Sequence, residues 1–508
     1  MKISIRDFDD IRIINYYTGY IIIVIAGLML IPIITSISFK EWNTVVDFSI
    51  SINISIIIGL LLMITGSNRS KKFEWKHGLI ISAFSWLLLM LLCAVPYYLS
   101  GHLKSFLDAC FDVMSGFTTT GLVMAQDLDH LSVGLNIWRH MLTFVGGQGM
   151  VVLALTFLVS DTAGAYKMYV GEGKDIELLP NVKHTTRAIW IISLVYLFIG
   201  TFALWINGLF IGLKPVSSFF HGLFIFMSAW STGGFAPMSQ NMLYYHSFSY
   251  EILTIIFFVI GSFNFGLHYA VWQGNRKEIF KNIEIQSFLV TAGITTFLLI
   301  IGLKKLNVYP NSIALFRKGV YILLSAHTTT GFGTIYARQF ALEWGDFGVF
   351  ILVIAMLIGG SACSTAGGFK GLRVGIVFKG IIAEIRKTLS PERKVKVYKY
   401  HYIKDQVLND AAVKSAAFII ICYIALFTVG TAIGCYYGYS LPSSAFEAAS
   451  ITGNVGLSIG VTTPSMPSLM KVYYIIAMYL GRLEFISVFT LIGFVIGGCR
   501  KLCLKCVR

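Results

Sequence analysis

The chain has 508 residues, 56% of them hydrophobic and 13% charged, and carries a net charge of +15. A soluble domain carries about 25% charged residues, whereas here apolar runs of the roughly 17–25 residues needed to cross a bilayer recur along the chain, which excludes a soluble globular protein. The charge is no nucleic-acid footprint either: Lys and Arg collect in alternate loops, 1–17, 67–77, 161–187, 274–284, 370–414 and 499–508, the bias of cytoplasmic loops.

In chain order, the start "MKISIRDFDDIRIINYY" is charged, and the apolar run behind it is long enough to stay as a helix rather than be cleaved. Full-length apolar spans are expected at 18–38, 48–66, 79–99, 138–160, 189–213, 250–273, 286–303, 346–368, 411–436 and 470–498. An even number of spans and the charge bias together predict both termini in the cytoplasm. Between some of the spans lie apolar segments too short to cross, about 104–117, 215–230, 311–327 and 442–452, which read as re-entrant half-helices. "KPVSS" (Pro215, Ser217), "YPNS" (Pro310, Asn311) and "LPSS" (Pro442, Ser443) look like the caps that start them.

The short segments are copies of one motif. FDVMSGFTTTGL (111–122), FIFMSAWSTGGF (224–235), YILLSAHTTTGF (321–332) and FEAASITGNVGL (446–457) align without gaps. Each has an aromatic, then a serine (Ser115, Ser228, Ser325, Ser450), then a glycine (Gly121, Gly234, Gly331, Gly456) followed by Leu or Phe. Each is followed 25 to 28 residues later by a second glycine within the next span: Gly146, Gly261, Gly359 and Gly481. The chain therefore reads as an all-α polytopic membrane protein with two N-terminal transmembrane helices (1–75) and four pseudo-fourfold helix, half-helix, loop, helix repeats (76–165, 166–280, 281–395 and 396–508).

Irregular backbone at membrane depth is tolerated where it is buried in protein or lines a wet cavity. Four equivalent glycine loops around one axis would present rings of carbonyls, which can replace the hydration shell of a monovalent cation. Glycine permits φ > 0 and puts no side chain in the lumen, and Thr119, Thr120, Thr329 and Thr330 can add hydroxyls or tie the loops down. Half-helices running inward aim their negative C-terminal ends at the loops, and Asp112 and Glu447, at one motif position, add negative charge nearby. Close helix packing by small residues could explain one loop; four in register favour the ring.

Arg482 in "YLGRLEF" is costly inside a span and should face the bundle interior or a cavity. Two residues from Glu484, it points away from it on a helix and forms no i,i+4 pair; a site near the pore below the carbonyl rings suits it. In the third repeat "LIGGSACSTAGGFKG" (358–371) interrupts the span, a candidate gate with Gly367 and Gly368 as hinges. The tail "CRKLCLKC" places Cys499, Cys503 and Cys506 on one helical face, where a helix end at the membrane surface is favoured over a metal site or lipidated thiols. No G-x-x-x-x-G-K-[ST], H-E-x-x-H or G-x-S-x-G motif is present, so the chain is not read as an enzyme. His221 and His327 are packing or hydrogen-bonding residues in this reading.

The four glycine loops, the "GGSACSTAGG" interruption and the "GRLEF" helix together resemble the Trk/Ktr/HKT superfamily of potassium transporters, over nearly the whole chain and most nearly its TrkH branch. The resemblance implies K+ uptake across the plasma membrane (the inner membrane in a Gram-negative cell) by a homodimer, with no cofactor in this chain beyond bound K+. It implies a selectivity filter of Thr119, Thr120 and Gly121; Thr232, Gly233 and Gly234; Thr329, Thr330 and Gly331; and Asn454, Val455 and Gly456. The family's intramembrane gating loop matches Ser361, Ala362, Cys363, Ser364, Thr365, Ala366, Gly367 and Gly368, and its pore arginine matches Arg482. Besides membrane lipid, the expected partner is a cytosolic nucleotide-binding ring of the TrkA type, docked on the basic 370–407 loop and the C-terminus. "STGGF" and "TGNVGL" depart from the usual loops but keep the glycine. An ion-coupled symporter or a Na+-conducting member is the alternative.

Overall fold

Apolar runs flanked by polar loops become long helices, and the computed structural model, which describes residues 6–67, 73–157, 162–172, 182–390 and 397–506, is built almost wholly of them. The exception among the described residues is one antiparallel ribbon, Lys399–Tyr402 with Lys404–Val407. Among the described residues six helices are long and apolar enough to cross a membrane: Asp9–Ser38, Trp42–Thr65, Trp75–Leu99, His184–Phe210, Ile283–Lys305 and Asp410–Tyr436. The first two stand outside the repeats and brace the first one, where the Glu41 carboxylate accepts from the Val133 and Gly134 N–H groups at 2.7 and 3.0 Å. The other four open the four repeats.

The second span of each repeat departs from the expectation. An interruption was expected in the third repeat alone, yet all four are broken just beyond their glycine. Val133–Gln148 passes into Met150–Phe157 through Gly149 at φ 105°. Phe248–Gly261 and Phe265–Trp272 meet at 98°, and the helices before and after Glu484 and Phe485 meet at 116°. In the third repeat Gly345–Ile358 and Gly371–Thr388 are separated by the 359–370 loop. The breaks in repeats one, two and four are short, one to three residues within long apolar runs, and side-chain groups satisfy the freed backbone there. Asn264 accepts from Gly266 N–H at 2.6 Å, and the Glu172 carboxylate accepts from Val151 and Val152 N–H at 3.0 and 3.1 Å.

The half-helices form as expected, at Phe106–Phe117, Pro215–Trp230 and Leu441–Thr452, with the third assembled from Ser312–Ala314, a π turn over Leu315–Val320, and Tyr321–His327. Their caps differ in part from the sequence expectation. Asn311 does cap the third through Ala314 N–H, and Pro215 takes the first turn of the second. The fourth is capped by Ser440 rather than Ser443, and the first by Ser105. Ser217 caps nothing, since the helix has already started at Pro215. The final helix runs to Cys506, but the side chains of Cys499, Cys503 and Cys506 lie outside the described residues.

Packing closes the repeats into a cycle. The second span of each repeat lies against the half-helix of the next, first on second, second on third, third on fourth and fourth on first. Two of these four interfaces carry ion pairs of opposite polarity at equivalent places, the first of them fully buried. Lys471 of the fourth repeat meets Asp108 of the first at 2.6 Å, and Glu251 of the second meets Arg317 of the third at 2.7 Å. Lys471 and Glu251 each stand ten residues before their span's glycine. Arg139 serves the first-to-second interface, lying 4.6 Å from the Phe235 ring centre and donating to the Ala236 carbonyl.

Removing one partner of a buried pair leaves the other charge uncompensated, at a cost of about 3–5 kcal/mol. Asp108→Asn should therefore lower the thermal midpoint of the purified protein, and Asp108→Leu with Lys471→Met should recover most of the loss. Equal midpoints for wild type and Asp108→Asn would show that the pair does not hold the first and fourth repeats together.

Candidate functional site

The four half-helices end alike. Their C-terminal caps, Thr118, Ser231, Thr328 and Gly453, have φ between −77° and −82°. The next residue in each copy, Thr119, Thr232, Thr329 or Asn454, turns into the left-handed region at φ 56°, 50°, 56° and 54°. Two residues on, Gly121, Gly234, Gly331 and Gly456 again have positive φ, at 89°, 64°, 83° and 93°, whereas Thr120, Gly233, Thr330 and Val455 between them do not. Left-handed and ordinary backbone thus alternate at the same three positions in all four copies. Three non-glycine residues of β-branched type in this region are costly and persist where the surroundings dictate them. One bond that dictates them is common to all four copies: the N–H of Thr120, Gly233, Thr330 or Val455 donates to the carbonyl of the motif serine, each at 2.8 Å.

The glycines close the ring. A Cβ on Gly121 would strike the Gly233 carbonyl, one on Gly234 the Thr330 carbonyl, one on Gly331 the Val455 carbonyl and one on Gly456 the Thr120 carbonyl, all at under 3.0 Å. Each glycine thus makes room for a carbonyl of the next repeat, and the fourth returns to the first. This corrects the reason expected for glycine: the missing side chain clears the neighbouring strand of the ring rather than the lumen. The second-span glycines act similarly one layer out, Gly146, Gly261 and Gly481 lying against the carbonyls of Phe117, Trp230 and Thr452 at equivalent half-helix ends.

The hydroxyls of Thr120 and Thr330 are engaged by neighbouring side chains. Thr120 and Thr330 pair with Thr118 and Thr328 at 2.7 and 2.8 Å, and Thr120 also accepts from Asn454 Nδ2 at 3.0 Å. Of the two roles offered for them, tying the loops down is the one the contacts fit. Asp112 and Glu447 likewise act as fasteners. Asp112 accepts from Met124 N–H, and Glu447 from Ile459 and Val461 N–H and the Thr462 hydroxyl, holding the chain that leaves the ring.

Beneath the ring, on the side of the second-span breaks, the 359–370 loop touches all four copies. The Thr365 carbonyl accepts from the Thr119 hydroxyl at 3.3 Å, and the Thr365 hydroxyl lies 3.2 Å from that of Thr232 and donates to the Gly261 carbonyl at 2.9 Å. Gly367 N–H donates to Thr329 Oγ1 at 2.9 Å, and Gly367 packs on the Gly453 carbonyl of the fourth copy. A segment that contacts every member of a closed fourfold ring from one side lies across its axis. Ser361, Ala362, Cys363, Ser364, Thr365 and Ala366 are all buried here, with Gly359 and Gly368 supplying positive φ at the two ends.

Arg482 holds this loop from the fourth repeat. Its guanidinium donates to the Thr365 carbonyl at 2.5 Å and to the Gly146 and Gly147 carbonyls at 2.7 Å. The last two belong to the final turn of Val133–Gln148, whose carbonyls lack intrahelical partners and form the negative end of that helix. The buried cation is therefore stabilised by backbone carbonyls, with the charges of Glu172 and Glu484 acting on it as well. Glu484 turns away because the helix ends at Leu483, and it pairs instead with Lys370 and Arg373 at the loop's far end.

A family model described as TrkH, cation transport protein, matches residues 45–495. The chain belongs to the TrkH family. It is 30% identical over 483 residues to the uncharacterized cation transporter MJ1485 of Methanocaldococcus jannaschii, covering 95% of each chain. It is 28% identical to the Trk system potassium uptake protein TrkG of Escherichia coli, covering 95% of this chain and 97% of that one. The crystal structure of the potassium transporter TrkH from Vibrio parahaemolyticus superimposes with a TM-score of 0.80 at 23% identity, over 94% of this chain and 98% of that one, a likeness of fold.

Within this TrkH-family chain, sequence reading missed Asn264, Glu284, Tyr402 and Glu172. Asn264 was within reach, since it follows Gly261 by three residues as Gly149 follows Gly146 and Glu484 follows Gly481. Glu284 and Tyr402 come from separate segments and carry no such signal. The ribbon that bears Tyr402 is moored by His401, whose two ring nitrogens lie 3.0 Å from Glu278 and 2.6 Å from Asp405. Hydrogen bonds to these two carboxylates raise the His401 pKa above its ordinary 6.5, while Lys281 and Lys399 act on Asp405. The mooring is then fully present below pH 6.5 and is lost as pH rises through the raised value. In an NMR titration His401 should titrate above 6.5, and Glu278→Gln should bring it down; an unchanged titration in that variant would remove the pairing.

Proposed function

We propose that this chain is the pore-forming subunit of a potassium uptake system in the plasma membrane, with the four-loop ring as its selectivity filter and the 361–368 segment as its gate. The observation that carries the reading is the closed cycle in which each loop glycine accommodates a carbonyl of the next repeat. Backbone carbonyls so arranged can replace the water around a monovalent cation, and four converging half-helix C-termini favour positive charge there. Relatives whose names state potassium uptake support K+ as the cargo, and the presence of all four glycines agrees with it.

In this reading K+ is substrate, and no resident cofactor is needed, since the work is dehydration and passage rather than bond chemistry. Arg482 binds the gate from below and opposes cation entry while the loop is in place. Two copies form a homodimer with both termini in the cytoplasm. A nucleotide-binding ring of the TrkA type docks on the basic face made by the 370–407 segment and the C-terminus. A pore is favoured over an ion-coupled symporter because four of the buried acids serve the scaffold, Asp108, Glu251 and Glu484 in ion pairs and Glu447 in hydrogen bonds.

Gly121→Ser or Gly331→Ser should abolish K+ preference over Na+ in liposome flux, because the added side chain displaces the adjoining carbonyl; unchanged selectivity would sink the filter assignment. Flux per open wild-type pore should exceed about 10⁵ ions per second, far above the ~1–10³ s⁻¹ of a catalysed cycle, and a value within that lower range would favour coupled transport. Deleting 361–368, or Arg482→Gln, should raise basal flux several-fold; a pore that stays closed without the segment would count against the gate.

A further inference from the structure

The loop under the ring is held at two places, its tip and its root. The tip contacts are those of Thr365, Gly367 and Arg482. The root is Ala362, and both of its peptide groups are fastened by buried side chains. Ala362 N–H donates to the Glu284 carboxylate at 2.5 Å, and its carbonyl accepts from Asn264 Nδ2 at 2.9 Å. The same Asn264 nitrogen lies 3.3 Å from Glu284 Oε2 and 2.9 Å from the Tyr402 hydroxyl. Asn264 and Glu284 are each 1% exposed and Tyr402 7%. Asn264 stands at the broken second span of repeat two, Glu284 at the start of the third repeat's first span, and Tyr402 on the ribbon outside the spans.

This cluster joins the ribbon to the loop through one amide. The second strand of the ribbon, Lys404–Val407, is exposed along its whole length. A cleft of about 520 Å³ separates the ribbon from the loop, bounded by Ala362, Arg373, Tyr402, Lys404, Glu484 and Ser487, and leaves room for the root to withdraw. The loop is also wound against its preference. Cys363 and Lys370 sit at φ 52° and 72°, conformations that non-glycine residues keep only while their surroundings enforce them.

We propose that Asn264, Glu284 and Tyr402 form a latch through which the cytoplasmic ribbon holds the loop across the pore, so that displacement of the ribbon by a cytosolic partner releases it. The three are positioning residues, and the inference rests on the reading of the 361–368 segment as the gate. Asn264→Asp keeps the acceptor that caps Gly266 N–H but replaces the donor to Ala362 with a second carboxylate oxygen facing Glu284. Tyr402→Phe removes only the ribbon's hydroxyl.

The test measures Rb+ uptake into liposomes holding the full chain, together with alkylation of Cys363, which is 3% exposed. Tyr402→Phe should raise both about two- to ten-fold, the range of one neutral hydrogen bond, and Asn264→Asp should raise them more, with K+ preference over Na+ unchanged. Wild-type flux and labelling in both variants, alongside a leaky 361–368 deletion, would overturn the latch and leave the gate standing. A deletion that does not leak would overturn both. Labelling of the buried Cys93 reports general unfolding; if Asn264→Asp shows it, Tyr402→Phe decides, and lower or unchanged flux there overturns the latch.

Discussion

Each repeat makes room for its neighbour's backbone, and the rest of the structure depends on that. A glycine at the eleventh motif position leaves a space that a carbonyl of the next repeat fills, from Gly121 and Gly233 round to Gly456 and Thr120. The approach is too close for a Cβ unless the neighbouring carbonyl shifts, and positive φ at each of these positions suits glycine. Half-helices, spans and interfaces are the scaffold that holds four such loops at one height.

The scaffold solves a second problem, irregular backbone in an apolar setting. Every second span breaks just below the ring, and each break has a polar side-chain partner: Glu172 and Arg482 in the first repeat, Asn264 in the second, Glu284 at Ala362 in the third, and Tyr423, whose hydroxyl donates to the Gly481 carbonyl, in the fourth. Buried charge here stabilises freed backbone groups and unlike charges across repeat boundaries. That economy explains how a chain with 13% charged residues keeps so many of them inside.

Much of this was legible beforehand, for identifiable reasons. The half-helices were visible because each is apolar, short and bounded by loops, and the ring because four copies of one pattern share a register. Asn311 was readable as a cap, whereas Ser440 was passed over for Ser443, three residues away, because Ser440 and Ser443 offer the same hydroxyl. The breaks in repeats one, two and four were passed over because each spans only one to three residues: Gly149, residues 262–264 in "FVIGSFNF", and Glu484 with Phe485. Repeat three stood out because its interruption is long and rich in small residues.

By itself the sequence determined the class of protein, the fourfold repetition, the four ring glycines, and Arg482 and 361–368 as the residues out of keeping with a plain span. These follow from local composition and from a pattern repeated in register, neither of which needs a third dimension. Only the tertiary structure decided what each glycine faces, that the loop crosses the axis, and that Arg482 caps a helix of the first repeat. It also decided that Asn264, Glu284 and Tyr402 meet at Ala362. Those relations join residues up to 336 positions apart, as Arg482 and Gly146 are, and contacts between separately folded helices leave no mark on the local order of residues.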